Sequence, residues 1–135
     1  MASPVLDSFA LLAYLRDEPG AESVQALLEK ASRKDAPLLM TEVNYAEVKY
    51  IILRKDGKEA WREVAASLGS LPIEFVPATR SLADTAADFK TSHRISLADA
   101  FAVALAREKK SDLVTGDPEF KALEKEIKIT WLREQ

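Results

Sequence analysis

The sequence predicts an α/β protein: a three-layer α/β/α arrangement around a central, mostly parallel sheet of four to five strands. Three observations carry that reading. Short apolar segments alternate with longer stretches of helical periodicity, with no linker, repeat or low-complexity tract between them, which is the pattern of β/α units around a parallel sheet. The apolar segments are brief, as strands buried on both faces often are. The 135 residues, 47% of them apolar, are enough for one domain spanning 1–135 with one core.

The first strand is expected at residues 4–6, and Asp7 after it has the chemistry of an N-cap for a helix over 8–16. A helix over 21–33 and a strand over 37–40 follow. Thr41 can cap the next helix, 42–55, and Gly57 supplies its stop. The helix over 58–67 ends toward Gly69, and the strand over 73–76 runs into Pro77 before a helix over 80–91. Ser96-Leu-Ala-Asp99 has the spacing of a capping box and opens a helix over 97–109 that is apolar nearly all round, hence buried. A strand over 111–114 leads to Asp117-Pro118, a capping acid before a proline at the first position of a short turn over 118–123. A strand over 127–131 closes the sheet.

Composition removes several chemistries. Cysteine is absent, so disulfides, thiolate nucleophiles and cysteine-zinc sites are excluded together. Histidine occurs once, at His93, which rules out a zinc site built on several imidazoles. The net charge of -3 gives no whole-molecule attraction for nucleic acid, although a local basic strip can exist on an acidic protein. The apolar runs are far shorter than the roughly 18 residues of a membrane span. The opening MASPVLDSF lacks a basic segment followed by a continuous apolar stretch, so it reads as strand rather than signal peptide, and a cytoplasmic location is expected. A Ser-His-Asp triad could use only His93, so chemistry, if present, must rest mainly on carboxylates.

Each candidate acid has an ordinary explanation. Asp7 and Asp117 can be simple helix caps. Glu47 is harder to explain that way, because its helical neighbours are Val43, Asn44, Tyr50 and Ile51, a face expected to point at the sheet. An ionised carboxylate there needs a proton, a cationic side chain or a metal, and a buried ion pair is the alternative to a metal. Glu42 competes for the same role, but the macrodipole explains an acid at a helix start. Asp99, in ISLADAFAVALA, is either the acidic half of the capping box or a site residue, and that box normally uses the longer Glu or Gln.

Taken jointly, the acids share one edge. Asp7 and Asp117 end strands, while Glu47 and Asp99 sit on helices entered at that same edge, where open α/β sheets bind ligands. Two carboxylates about 4 Å apart repel by roughly 4 kcal/mol at an effective dielectric of 20, so such a cluster requires neutralisation. Oxygen-only ligands select hard ions, Mg²⁺ or Mn²⁺. Such ions activate water and offset charge building on a phosphate, which makes phosphodiester hydrolysis the implied reaction.

Four segments, VLDSFALLAYLRDEPGAE, TEVNYAEVKYIILRKDG, ISLADAFAVALA and LVTGDPEF, carry a family resemblance that covers nearly the whole chain. The ordered set D, N-x-x-E, L-A-D-A and T-G-D resembles the PIN domain, and within it the VapC-type toxins of toxin-antitoxin pairs. The resemblance implies a PIN-like fold and a Mg²⁺- or Mn²⁺-dependent endoribonuclease. Its acidic metal site would be Asp7, Glu47, Asp99 and Asp117, with Asp7 and Asp99 as direct ligands and Asn44 and Thr115 as polar neighbours. It also implies an RNA substrate, a homodimer and a small VapB-type antitoxin whose tail lies over the site.

RNA approaching an acidic hollow calls for a positive rim, for which Lys49, Arg54, Lys55, Lys90, His93 and Arg94 are candidates; ordinary solvated faces explain each equally well. Leu11, Leu12, Tyr14 and Leu15 either pack in the core or supply a dimer or antitoxin groove. A receiver-like domain would want paired acids at the first strand, where only Asp7 stands. A hydrolase with Asp7 as covalent nucleophile would want a second Asp where Phe9 stands. A PIN-like protein-binding module without activity is the remaining alternative.

Overall fold

The computed structural model describes residues 2–133. Five strands, β1 (Val5–Leu6), β2 (Leu38–Thr41), β3 (Ile73–Val76), β4 (Leu113–Thr115) and β5 (Ile129–Trp131), form one wholly parallel sheet in the order β3-β2-β1-β4-β5. Between them run α1 (Ser8–Leu15), α2 (Ala21–Lys34), α3 (Glu42–Lys55), α4 (Lys58–Leu68), α5 (Arg80–Ser92) and α6 (Leu97–Lys109), and a 3₁₀ turn, Pro118–Leu123, links β4 to β5.

Strand alternation sorts the apolar side chains into two layers. Val5, Leu39 and Leu113 face a core shared with Leu82, Ala86 and Phe89 of α5 and with the small residues of α6. Leu6, Leu38, Met40 and Val114 face the opposite core, built with Leu11, Val24, Leu28, Val48 and Ile52 from α1, α2 and α3. Both faces are therefore covered, as an all-parallel sheet requires. Ala100, Ala102, Ala104 and Ala106 keep α6 slim enough to bury its whole middle, Ala100 to Ala106, over β1, β2 and β4.

The ladders begin after Pro4 and Pro37, since proline has no N–H to donate, and β2 and β4 run one residue further than their apolar runs, into Thr41 and Thr115. Caps match the residues that start each helix. Asp7, Thr41, Thr79 and Ser96 accept from backbone N–H groups of α1, α3, α5 and α6, and Asp117 does so for the 3₁₀ turn. Gly57, at φ +93°, separates α3 from α4.

The strand order fixes where a ligand can enter. From β1 the chain builds outward through β2 and β3, then returns to place β4 on the other side of β1. The connections diverge at the carboxyl ends of β1 and β4, which leaves a crevice there. Asp7 and the Thr115-Gly116-Asp117 loop flank it.

Candidate metal centre

Among the described residues, the buried polar side chains are Asp7, Ser8, Thr41, Asn44 and Thr115. All five stand at the carboxyl ends of β1, β2 and β4 or in the first turn of the helix that follows. Burying polar groups is costly unless they are bonded, and these satisfy one another. Asn44 Oδ1 accepts from the Thr41 hydroxyl at 2.5 Å, while its Nδ2 donates to Ser8 Oγ at 3.0 Å and to the Ala98 carbonyl at 3.1 Å. One amide thus ties α3 to α1 and to the first turn of α6. The tie sets Glu47, one turn along α3, toward Asp99, the residue after Ala98.

Asp7 is 0% exposed. Its Oδ1 accepts the Ala10 N–H at 2.8 Å and its Oδ2 accepts the Thr115 hydroxyl at 2.5 Å. Thr115 Oγ1 in turn accepts the Asp117 N–H at 3.0 Å, and Asp117 Oδ1 accepts the Glu119 N–H at 3.0 Å. Thr115 therefore couples the carboxyl end of β1 to the loop after β4. Oxygens of Asp99, Asp117 and Glu119 lie within 4.8 Å of one another.

The acids feel each other. Burial pushes the Asp7 carboxyl up to about 8; the Thr115 and Ala10 bonds pull it back, and Asp99 and Asp117 push it further up. Burial likewise raises Asp99 to about 6, with Asp117 adding most of the repulsion, the Ser96 hydroxyl opposing it, and Glu47 and Glu119 adding more. Five carboxylates thus share one field. The ion pairs among the described residues join Arg16 to Glu18 and Asp56, Arg62 to Glu59, His93 to Glu126 and Lys128 to Asp112, and none reaches the cluster. The ion-pair reading of Glu47 has no partner there. An all-oxygen cluster with no neutralising side chain fits a hard divalent cation.

The sequence expectations fare unevenly in position. Asp99 and Asp117 come together, with Glu119, closely enough to share one ion, while Asp7 and Glu47 stand outside that group but within electrostatic reach of Asp99. Asn44 and Thr115 are buried beside them. Glu42 is exposed in the first turn of α3. Glu119 joins the cluster although nothing in its surroundings marked it, because an acid in a first turn beside Pro118 reads as a response to the macrodipole. Tyr50 does not face the sheet: Asn44, Val48 and Ile52 form the buried stripe of α3, and Tyr50 is 45% exposed.

The cationic candidates lean on their own surroundings. Lys49 Nζ stands 5.6 Å from the Trp61 ring centre, Arg54 lies 5.1 Å over Tyr50, and Lys90 Nζ donates to the Ile95 carbonyl at 2.9 Å. His93 Nε2 meets Glu126 at 2.6 Å, whereas Arg94 and Lys55 are exposed. Leu11 is fully buried, and Leu12, Tyr14 and Leu15 pack against the α1 to α4 core. The strand order β3-β2-β1-β4-β5 also differs from the 2-1-3-4-5 order of receiver domains.

Solved structures share this architecture over nearly their whole length. The VapBC complex of Salmonella typhimurium, solved bound to DNA, superposes with a TM-score of 0.77 at 15% identity, covering 98% of this chain and 99% of that one. VapBC2 of Rickettsia felis, bound to a DNA fragment from its promoter, gives 0.74 at 16%, covering 94% and 96%. VapC20 of Mycobacterium tuberculosis, a toxin that cleaves the sarcin-ricin loop, gives 0.71 at 19%, covering 90% and 95%. At such identities the likeness is one of fold. No curated protein matches the chain in sequence. The PIN domain family model matches residues 5–126, nearly the whole sheet and every helix of it. The chain belongs to the PIN domain family.

Proposed function

We propose that this protein is a divalent-metal-dependent endoribonuclease that hydrolyses RNA phosphodiester bonds as the toxin of a VapBC-type pair. The observation that carries the reading is the group of Asp99, Asp117 and Glu119 at the β1/β4 crevice, with Asp7 and Glu47 in its field and, among the described residues, no ion pair to any of the five. Asp7 and Asp99 would hold Mg²⁺ or Mn²⁺ with Asp117 and Glu119, and Glu47 would stand one turn away on α3. Such an ion supplies charge compensation for the phosphate and acidifies water at the site.

The chain's own groups have distinct tasks. Thr115 and the Ala10 N–H orient the two oxygens of Asp7, so that its geometry is set before any ligand arrives. Asn44 holds α3 and α6 in register, which keeps Glu47 near Asp99. Glu47, Asp99 and Asp117 are half-buried and Glu119 is exposed, so water entering the crevice reaches all four and any of them not holding the ion can accept its proton. Lys49, Arg54, Lys90 and Arg94 are assigned to the RNA rim, where phosphate contacts would position the strand.

Several of the neighbouring structures are VapBC structures, which supports a VapB-type antitoxin as partner here. A homodimer is the working form that the resemblance to VapC-type toxins implies. Among the described residues no helix is long and apolar enough to cross a membrane. The chain acts in the cytoplasm as one domain. The test is a Mg²⁺ and Mn²⁺ titration with pooled RNA, using protein freed of antitoxin. Wild type is expected to cut, and Asp99→Asn to lose at least about 100-fold in rate while keeping its fold. Silence of the wild type with every divalent ion would replace the enzyme by a PIN-like protein-binding module.

A further inference from the structure

We infer that Phe9 is a stacking platform for one nucleobase beside the bond that is cut, an assignment that rests on the nuclease reading above. Phe9 lies two residues beyond Asp7, in the first turn of α1. It does no core work: Ser8, Ala10, Leu11 and Ala13 carry the burial of that helix, and Phe9 is 40% exposed. The exposed part of the ring is free to contact a partner.

The ring is nonetheless held. It lies against Gly116, the residue between Thr115 and Asp117, so closely that a Cβ there would come within 2.5 Å of Phe9 Cε1. Gly116 has no left-handed φ that would demand glycine. The missing side chain instead admits the ring onto the loop that carries two members of the acid network. Three large apolar side chains are exposed among the described residues, and the others lack this setting. Tyr50 stands under Arg54, and Leu97 has no π face.

A nucleobase is the occupant that the surroundings favour. The crevice repels phosphate until a cation is bound, and a chain of net charge -3 offers little general attraction for RNA. A π face supplies affinity that neither effect weakens, and base–aromatic stacking tolerates any base. Phe9 also carries no charge or hydrogen-bonding group that would compete for the ion.

The experiment uses the antitoxin-free protein with Mn²⁺, a short RNA containing the mapped cleavage site, and copies of it with one abasic ribose at each position flanking that site. Wild type, Phe9→Leu and Phe9→Trp are compared. Phe9→Leu is expected to raise KM about tenfold or more with little change in kcat, the size of one base–aromatic stack, while Phe9→Trp keeps wild-type KM. Removing one particular base should cost wild type the same factor and cost Phe9→Leu nothing further. The salt dependence of KM should be the same in wild type and Phe9→Leu, because no phosphate contact is lost. A Phe9→Leu loss of equal size on every abasic substrate would overturn the assignment. So would unchanged KM accompanied by weakened antitoxin binding, which would make Phe9 a protein contact. A wild type that cuts no RNA at all would instead overturn the nuclease reading beneath it.

Discussion

Asp7 has no access to solvent, yet both of its oxygens are occupied by donors, so the fold supports a carboxylate that burial opposes. The conflict has a measurable consequence. The Asp7 pKa is raised from 3.8 to about 8, so between those values the native state holds a proton that the unfolded chain has released. Stability of the metal-free protein is therefore fullest toward pH 4 and falls as pH rises to 8, with Asp99 adding to the decline up to about 6. The slope from Asp7 is on the order of 1 kcal/mol per pH unit at most. Asp7→Asn keeps an acceptor for the Ala10 N–H but cannot ionise. Urea unfolding between about pH 6 and 8 should show a falling midpoint in wild type and a nearly flat one in Asp7→Asn. Parallel slopes in the two proteins would mean that Asp7 is not the source.

At the scale of elements, Asn44 is the side chain on which most depends. It joins the start of α3 to Ser8 on α1 and to the Ala98 carbonyl on α6. Asn44→Ala would remove these bonds and leave the Thr41 and Ser8 hydroxyls and a carbonyl short of partners, a loss of about 2–4 kcal/mol. Chemical denaturation should show that cost, and Mn²⁺ affinity should fall by about tenfold as Asp99 loses its tether. A variant with wild-type stability would show that packing alone holds α3 on α6. The sequence foreshadowed these elements well where a cap or glycine marked their ends, as at Thr41, Ser96 and Gly57. It misled at Tyr50, because α3 buries the stripe Asn44, Val48 and Ile52 and turns the tyrosine outward. A polar residue at the head of a buried stripe breaks the apolar pattern, and only the partners on α1 and α6 explain it.

Across the whole molecule, alternation of strand and helix was legible, and so was a parallel sheet; the order of the strands was not. The central place of β1 follows from pairings Val5↔Leu39 and Val5↔Leu113, between segments far apart in the chain, and no local pattern encodes them. Yet that order creates the crevice. Asp7, Asp99 and Asp117 were legible as acids at strand ends or in a buried helix, Glu47 was marked by a face of α3 that proves only half-buried, and Glu119 was hidden by an ordinary first-turn role. The cationic rim was least legible, since exposed Lys and Arg follow no periodic constraint and several here rest on their own aromatic rings or carbonyls.

The claim beneath all of this is that the acids at the β1/β4 edge form a single site completed by a hard divalent cation. Calorimetric titration of Mn²⁺ into the antitoxin-free protein at about pH 6.5, repeated in two buffers of different ionisation enthalpy, addresses it without relying on catalysis. Saturable binding with release of about one proton per chain is expected, because Asp7 must give up its proton to serve the ion, and Asp99→Asn should bind far more weakly. Absence of binding, binding without proton release, or an Asp99→Asn isotherm that overlays the wild type would contradict it.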